Sequence, residues 1–428
     1  MSSEQTPPDE VLVVEDSRSV SGLLARRIQE ELSMSPQVAG SRAQAQEILE
    51  QRRARIAGAV LDLDLPDAPR GEVVDDVVAA RIPAVVLTAT LEDDLRDELI
   101  GSGICDYVMK DAPDAVDSVL RALRRIYRNQ WIGVLIVDDS RSAREYLTHL
   151  LRRWGFRCYP AAGGEEALAK LAEEGDAIRL MLCDQNMPGM DGVTLIRRAR
   201  RTYPPHRLGI IGVSNHGSGL LSARQLKAGA NDFLTRPFLE EEFAVRVNQN
   251  VEVLELLHEA QEGARRDPLT GLRNRRYLDE IAEPLGETAR RTQQPLAAAV
   301  VDLDHFKRIN DRFGHFGGDV ALCRVADFLR DTVRRADVLV RSGGEEFYIV
   351  SLGIDGEGME TLGERIRAGI ETLEVTYDGD PIDLTASVGV ASAHDVGVEE
   401  ILKVADRAMY DAKRTTRNCV VSADRRAD

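Results

Sequence analysis

Val338-Leu-Val-Arg-Ser-Gly-Gly-Glu-Glu-Phe-Tyr-Ile-Val350 decides how the C-terminal third of this chain folds. Apolar runs, Val338–Val340 and Phe347–Val350, flank a Gly-Gly pair. That pattern reads as two strands joined by a tight turn whose glycines take positive φ. A bare glycine also lets backbone approach a ligand closely. The turn carries two adjacent carboxylates, Glu345 and Glu346. Upstream, Ala298-Ala-Val-Val-Asp-Leu-Asp-His-Phe-Lys-Arg-Ile-Asn-Asp311 opens with an apolar run that reads as a buried strand delivering Asp302 to its end. If that strand pairs with the hairpin, Asp302 faces Glu345 and Glu346. Three clustered carboxylates are costly unless a cation neutralises them, and hard oxygen ligands suit Mg²⁺ shared with a substrate's phosphates.

From Arg265 to Ser422 the sequence resembles the GGDEF diguanylate cyclases, in their GGEEF variant. Asp267-Pro-Leu-Thr-Gly-Leu-Arg-Asn-Arg-Arg276 is similar to the family's opening motif. Asp302 to Asp311, Phe313-Gly-His315 and Gly318-Asp319 resemble its metal and guanine segment. Thr385-Ala-Ser-Val-Gly389 resembles a late core strand, and Ala405-Asp-Arg-Ala-Met-Tyr-Asp-Ala-Lys413 the closing helix. Ser342 departs from the pattern, where an aromatic residue is common.

The resemblance implies that Asp302, the Leu303 carbonyl and Glu345 hold Mg²⁺. Glu345 is implied as the acceptor of a hydroxyl proton, with Glu346 supporting. Asn310 and Asp319 are implied to read guanine beside His315 and Phe306, and Lys413 and Arg417 to grip terminal phosphates. Arg334-Arg-Ala-Asp337 matches the family's RxxD inhibitory site for cyclic di-GMP, with Arg365 adding a further arginine.

The chain has 428 residues, 43% hydrophobic and 30% charged, the composition of an ordinary soluble protein of about three domains. Its polar start has no apolar signal core, and no apolar run reaches the ~18 residues of a membrane helix. These features imply no membrane insertion and a cytoplasmic location. A formal charge of −17 argues against nucleic acid as a partner. Basic clusters such as Arg197-Arg-Ala-Arg-Arg201 read as solvated helix faces. The five cysteines, Cys105, Cys158, Cys183, Cys323 and Cys419, show no CxxC pairing, so neither a structural zinc nor a disulfide framework is expected.

Before the cyclase-like region the chain repeats itself. Val11-Leu-Val-Val-Glu-Asp-Ser-Arg-Ser19 recurs as Val134-Leu-Ile-Val-Asp-Asp-Ser-Arg-Ser142, and Leu61-Asp-Leu-Asp-Leu-Pro66 answers to Cys183-Asp-Gln-Asn-Met-Pro188. Val85-Val-Leu-Thr88 pairs with Ile211-Gly-Val-Ser214, and Tyr107-Val-Met-Lys110 with Phe233-Leu-Thr-Arg236. Short apolar strands alternate with amphipathic stretches, which implies a parallel sheet with functional groups at the strands' C-terminal ends.

Each copy resembles a two-component receiver domain. In the first, the resemblance makes Asp62 the phosphoacceptor and a metal ligand with Glu15 and Asp16. Thr88 becomes the sensing hydroxyl, Lys110 the counter-charge and Tyr107 the swinging aromatic. In the second the roles fall to Asp184, Asp138, Asp139, Ser214 and Phe233. Arg236 stands where the family has lysine, and a planar guanidinium is not interchangeable with a compact ammonium. The first copy keeps Lys110 but follows it with Asp111, and it carries an extra residue between Pro66 and Gly71. Asp64 is a rival acceptor, although pairing Pro66 with Pro188 sets Asp62 opposite Asp184.

The expected fold is α/β: two doubly wound, flavodoxin-like receivers over residues 1–128 and 132–250, then a nucleotidyl-cyclase-like domain over 265–424 with a central, mainly antiparallel sheet. A helical stalk over 239–264 overlaps the last receiver helix. Its stripe of Phe243, Val247, Val251 and Leu254, extended by Leu256 and Leu257, reads either as a short two-stranded coiled coil or, over its first half, as a helix packing only on its own receiver. The implied function is a phosphorylation-regulated diguanylate cyclase joining two GTP across a homodimer, served by a cognate histidine kinase or phosphotransfer protein. The alternative is a catalytically silent receptor or adaptor for cyclic di-GMP or GTP.

Overall fold

A computed structural model of the protein describes residues 8–89, 93–214 and 219–423. The chain divides into two compact units, Met1–His258 and Glu259–Asp428. The first unit holds two five-stranded parallel sheets. Strands β1 (Glu10–Val14), β2 (Ser35–Ala39), β3 (Ile56–Asp62), β4 (Ala84–Thr88) and β5 (Asp106–Met109) lie in the order β2-β1-β3-β4-β5. Strands β6 (Gly133–Val137), β7 (Arg157–Ala161), β8 (Ile178–Asp184), β9 (Gly209–Ser214) and β10 (Asp232–Thr235) repeat that order as β7-β6-β8-β9-β10. This is the flavodoxin-like winding expected from the repeat, with its ligand crevice at the strand C-termini.

The inner strands β1, β3, β4, β6, β8 and β9 are almost wholly buried because helices cover both sheet faces, whereas the edge strands β2 and β7 are partly exposed. Alternate residues of one strand feed different cores. Leu12 and Leu61 pack with Leu49 and Val73 on one side of the first sheet, while Val11, Val13 and Val60 pack with Leu24, Ile28 and Leu120 on the other.

Of the two readings of the stalk helix, the structure takes the packed one over its first half. In the helix Glu240–Ala264, the stripe Phe243, Val247 and Val251 is buried in the core of the second sheet, and Leu254 is buried as well. The stripe is committed to its own receiver, so it is not available to a coiled coil. Leu256 and Leu257, read as its extension, are exposed.

The two sheet modules of this unit share contacts. Trp154 packs against the cores of both. The buried Asn129 donates through Nδ2 to the Trp154 carbonyl (2.9 Å) and to Asn248 Oδ1 (3.3 Å). Arg125 grips Glu255 with two hydrogen bonds of 2.6 and 3.0 Å.

The second unit is built on a six-stranded mixed sheet. Strands β11 (Arg273–Asn274), β12 (Leu296–Leu303), β13 (Val338–Gly343) and β14 (Glu346–Leu352) are followed by a small ribbon, β15 (Thr376–Tyr377) with β16 (Asp380–Pro381). Strands β17 (Ala386–Ala393) and β18 (Val420–Ser422) complete the order β11-β13-β14-β12-β17-β18. The four central strands pair antiparallel, and each edge strand runs parallel to its neighbour. Helices Phe306–Thr332 and Gly356–Glu371 cover one face, and helices Arg275–Thr292 and Val398–Arg414 the other. All eight residues of β12 are therefore buried. No helix among the described residues is long and apolar enough to cross a membrane.

Candidate active site and receiver pockets

The glycine-rich turn forms as expected but one residue out of step. A register shift at Ser342, between Arg341 and Gly343, takes up a residue of β13. The connection is therefore Gly344-Glu345 rather than Gly343-Gly344. Glu345 rides on the turn itself, and Glu346 is the first residue of β14. Gly343 and Gly344 have φ of 152° and 53°, values that side chains resist.

The turn is clamped by Arg341, whose Nε and Nη2 donate to the Gly344 carbonyl at 3.0 and 2.7 Å. Its Nη1 donates to Asp267 Oδ1 at 2.8 Å. Thr270 donates to that same oxygen from its backbone N–H and its hydroxyl. Burial pushes the Asp267 carboxyl up, but Thr270 and Arg341 outweigh it and hold the group below its usual range. The opening motif thus supports the hairpin, a role that its sequence alone did not reveal.

Strand β12 pairs with β14 so that Asp302 lies directly opposite Glu346, and the Leu303 N–H reaches the Glu345 carbonyl at 3.4 Å. Asp302 is 3% exposed, while Glu345 and Glu346 are half-buried. Its Oδ2 meets Lys413 Nζ at 2.6 Å. Its Oδ1 is buried with no hydrogen-bond partner. Burial raises the Asp302 carboxyl to about 6, with Glu345 and Glu346 adding to the rise against the pull of Lys413. A hard cation would satisfy the orphaned oxygen, and the carboxylates and the backbone carbonyl of Leu303 are the donors it favours. The residues fit Mg²⁺. The carboxylates of Asp302, Glu345 and Glu346 do not close as tightly as those of Glu15, Asp16 and Asp62, the group among the described residues whose ligand atoms lie within 4.8 Å of one another.

Of the two residues implied to grip phosphate, Lys413 is paired with Asp302. Arg417 lies beyond the helix, which ends at Arg414, and takes φ of 55° in the following turn. The position of Lys413 depends on Gly389 in β17: a Cβ there would overlap the backbone of Ala405 and Met409, in the helix that carries the lysine. Asp304, which sequence reading passed over, anchors the same corner. Its carboxylate accepts from Thr385 Oγ1 (2.9 Å), Ser387 Oγ (2.7 Å) and the Asn418 N–H (2.9 Å).

In the helix Phe306–Thr332, Gly314 has non-helical φ/ψ of 73° and 173° and kinks the segment. Asn310 Oδ1 and the Phe306 ring close over Gly318, the residue before Asp319. Asp319 is half-buried, and His315 is exposed. Arg334 and Asp337 form a turn rather than a helix end: the Arg334 N–H donates to Asp337 Oδ2 (2.9 Å), and the Asp337 N–H to the Arg334 carbonyl (3.0 Å). Arg365 Nη2 donates to the Thr332 carbonyl at 2.8 Å, which brings it beside this turn.

In the first receiver, Glu15, Asp16 and Asp62 converge at the ends of β1 and β3. Lys110 Nζ bonds Asp62 Oδ2 at 2.5 Å and Glu15 Oε2 at 2.9 Å. Asp64 is exposed and lies outside this cluster. Thr88 is buried at the end of β4, and its carbonyl accepts from the Lys110 N–H (2.7 Å). Tyr107 is half-buried and hydrogen-bonded to Arg96, which also pairs with Glu241.

The second receiver differs. Arg236 Nη2 bonds Asp138 Oδ2 at 2.8 Å, and its Nη1 stays 3.6 Å from Asp184 Oδ1. Asp139 is exposed, and Ser214 is buried at the end of β9. Burial raises the Asp184 carboxyl, and Asp138 adds to this. Phe233 packs over Gly212. The buried pair Gln225–Gln185, joined at 2.8 Å, carried no sequence signal that marked it out.

A family model of the diguanylate cyclase GGDEF domain matches residues 264–419, and one of the response regulator receiver domain matches residues 134–248. The chain belongs to the response-regulator GGDEF diguanylate cyclases. It is 29% identical to the response regulator PleD of Caulobacter vibrioides over 388 residues, covering 81% of this chain and 84% of PleD. Over 166 residues it is 42% identical to the diguanylate cyclase DgcP of Pseudomonas aeruginosa, covering 38% of this chain and 24% of that protein. A crystal structure of a two-component response regulator/GGDEF domain protein is 38% identical, with a TM-score of 0.53, covering 58% of this chain and 99% of that one. Enzymes of this family generally use a divalent metal.

Proposed function

We propose that this diguanylate cyclase condenses two GTP into cyclic di-GMP and two pyrophosphates across a homodimer. The observation that carries the reading is the buried Asp302, which has one oxygen unpartnered and Glu346 directly opposite. Asp302, the Leu303 carbonyl and Glu345 would hold Mg²⁺. When bound, the ion neutralises charge on the α-phosphate and on the attacking oxygen. Glu345, carried on the clamped turn, accepts the proton of the 3′-hydroxyl, and Glu346 supports it. Asn310 and Asp319 read the guanine edge beside Phe306 and His315. A half-buried Asp319 facing adenine would lose its donors, a penalty of ~1–3 kcal/mol. Lys413 and Arg417 supply cations to the terminal phosphates.

The product has two 3′-to-5′ bonds, so each copy contributes one GTP and the two pockets face each other. Receivers over 1–128 and 132–250 take phosphate from a histidine kinase or phosphotransfer protein, on Asp62 in the first, and so bias the pairing of cyclase domains over 265–424. Arg334, Asp337 and Arg365 bind the accumulated product and restrain the enzyme.

The test is to incubate the purified chain with GTP and Mg²⁺, with and without acetyl phosphate, and follow both products. Synthesis that acetyl phosphate stimulates is expected, and Glu345→Gln should lower turnover by roughly 10²–10³-fold with GTP binding kept. Binding of GTP without any product would make the chain a silent receptor instead.

A further inference from the structure

Within the first unit, between its two receivers, lies a cleft of about 540 Å³. Arg81, His149, Arg152 and Arg153 line it, and no carboxylate does among the described residues. In a chain of formal charge −17, this is an island of opposite sign. Arg153 is already engaged: its Nη1 donates to Glu240 Oε2 (2.6 Å) and to the Ile100 carbonyl (3.3 Å), and its Nε to His149 Nε2 (3.2 Å). Arg81 and Arg152 are exposed, and neither has a carboxylate partner among the described residues. Burial depresses His149, and the nearby Arg153 charge depresses it further, so the cleft resists one more positive charge. A concave wall lined by one sign of charge focuses the field on counter-ions.

Val78, Ile82 and Pro83 give the cleft an apolar lining as well. The volume falls within the roughly 300–1,000 Å³ of small-ligand sites. Guanidinium groups recognise phosphate by two-pronged hydrogen bonding, and they stack on planar rings.

We propose that this cleft binds a small phosphate-bearing anion of nucleotide size, with its phosphates on Arg81 and Arg152 and its apolar part against Val78, Ile82 and Pro83. The site is separate from the cyclase pocket and does not depend on the cyclase reading. Because Arg153 holds Glu240 at the start of the helix Glu240–Ala264, an anion in the cleft competes for that arginine. Occupancy therefore acts on the helix that ends the second receiver.

The experiment uses the full chain in EDTA, which suppresses metal-dependent nucleotide binding elsewhere, and titrates ADP and pyrophosphate separately by calorimetry. Saturable ADP binding is expected, weakened by roughly tenfold or more in the Arg81→Glu, Arg152→Glu double variant. Both residues are exposed, so the thermal midpoint should be unchanged, which separates lost binding from lost fold. Pyrophosphate binding as tightly as ADP would assign the site to bare phosphate and overturn the role of the apolar lining. Equal affinity in wild type and double variant, or no saturable binding of either probe, overturns the site.

Discussion

The two receivers share a strand order but not a pocket. In the first, one ammonium bridges two buried acids: Lys110 bonds both Asp62 and Glu15. In the second, the guanidinium of Arg236 bonds Asp138 at 2.8 Å and pairs more loosely with Asp184 at 3.6 Å. The larger, planar group divides itself between the two acids less evenly than a compact ammonium does. Topology is a property of many apolar positions and survives drift at any of them. A pocket is a property of four or five charged atoms, and one changed residue re-addresses them.

The largest expected break in this comparison is at the acceptors. Asp62→Asn should cut acetyl phosphate labelling of the chain by roughly tenfold or more, because it removes the only acceptor that a lysine neutralises. Asp184→Asn should leave most of the label. Phosphopeptide mapping reads both, and label retained on Asp184 alone would reverse the ranking.

A smaller effect is expected from Arg236→Lys, which restores a compact cation to the second pocket. Labelling at Asp184 should rise about threefold to tenfold. Unchanged labelling would show that something other than the cation silences the pocket.

The smallest effect concerns the first residues of β5 and β10, Asp106 and Asp232. Each carboxylate caps the N–H of the next residue. Asp232 also pairs with Arg246 at 2.9 Å, whereas Asp106 is raised above its ordinary 3.8 by burial, with Glu241 adding to the rise. A raised carboxyl binds its proton more readily folded than unfolded. It therefore costs stability at neutral pH, and the cost lifts as pH falls through its raised value toward 3.8. Asp106→Asn should raise the melting temperature at pH 7 and lose that gain as pH approaches 4. Asp232→Asn should instead lower stability by about 0.2–1 kcal/mol through the lost ion pair. Thermal melts across pH decide between these signs.

Much of this was legible in the sequence because it is carried by pattern. The repeat of Val11–Ser19 in Val134–Ser142 predicted two sheets of the same winding, and the apolar run before Asp302 predicted the strand that meets Glu346. What escaped depends on reach or on ambiguity of period. The turn slipped by one residue because a bulge at Ser342 leaves no compositional mark. The stripe from Phe243 to Leu254 has the same spacing whether it faces a partner helix or its own sheet, and only packing chose between them. The attachment of Lys413 to Asp302, and of Arg341 to Asp267, follows from strand and helix placement that no local motif records.

Gly389 turns one of these placements into a statement about tolerance. The residue is buried in β17 and carries no charge, yet it sets how near the Val398–Arg414 helix can lie to β17, and with that where the Lys413 ammonium sits. In a saturation mutagenesis screen selected for cyclic di-GMP output, position 389 should therefore score as intolerant as the acids themselves, alanine included. Such a screen would rank a missing methyl group alongside the chemistry, and a map of essential positions drawn from it would have to separate the residues that react from those that keep others at the right distance.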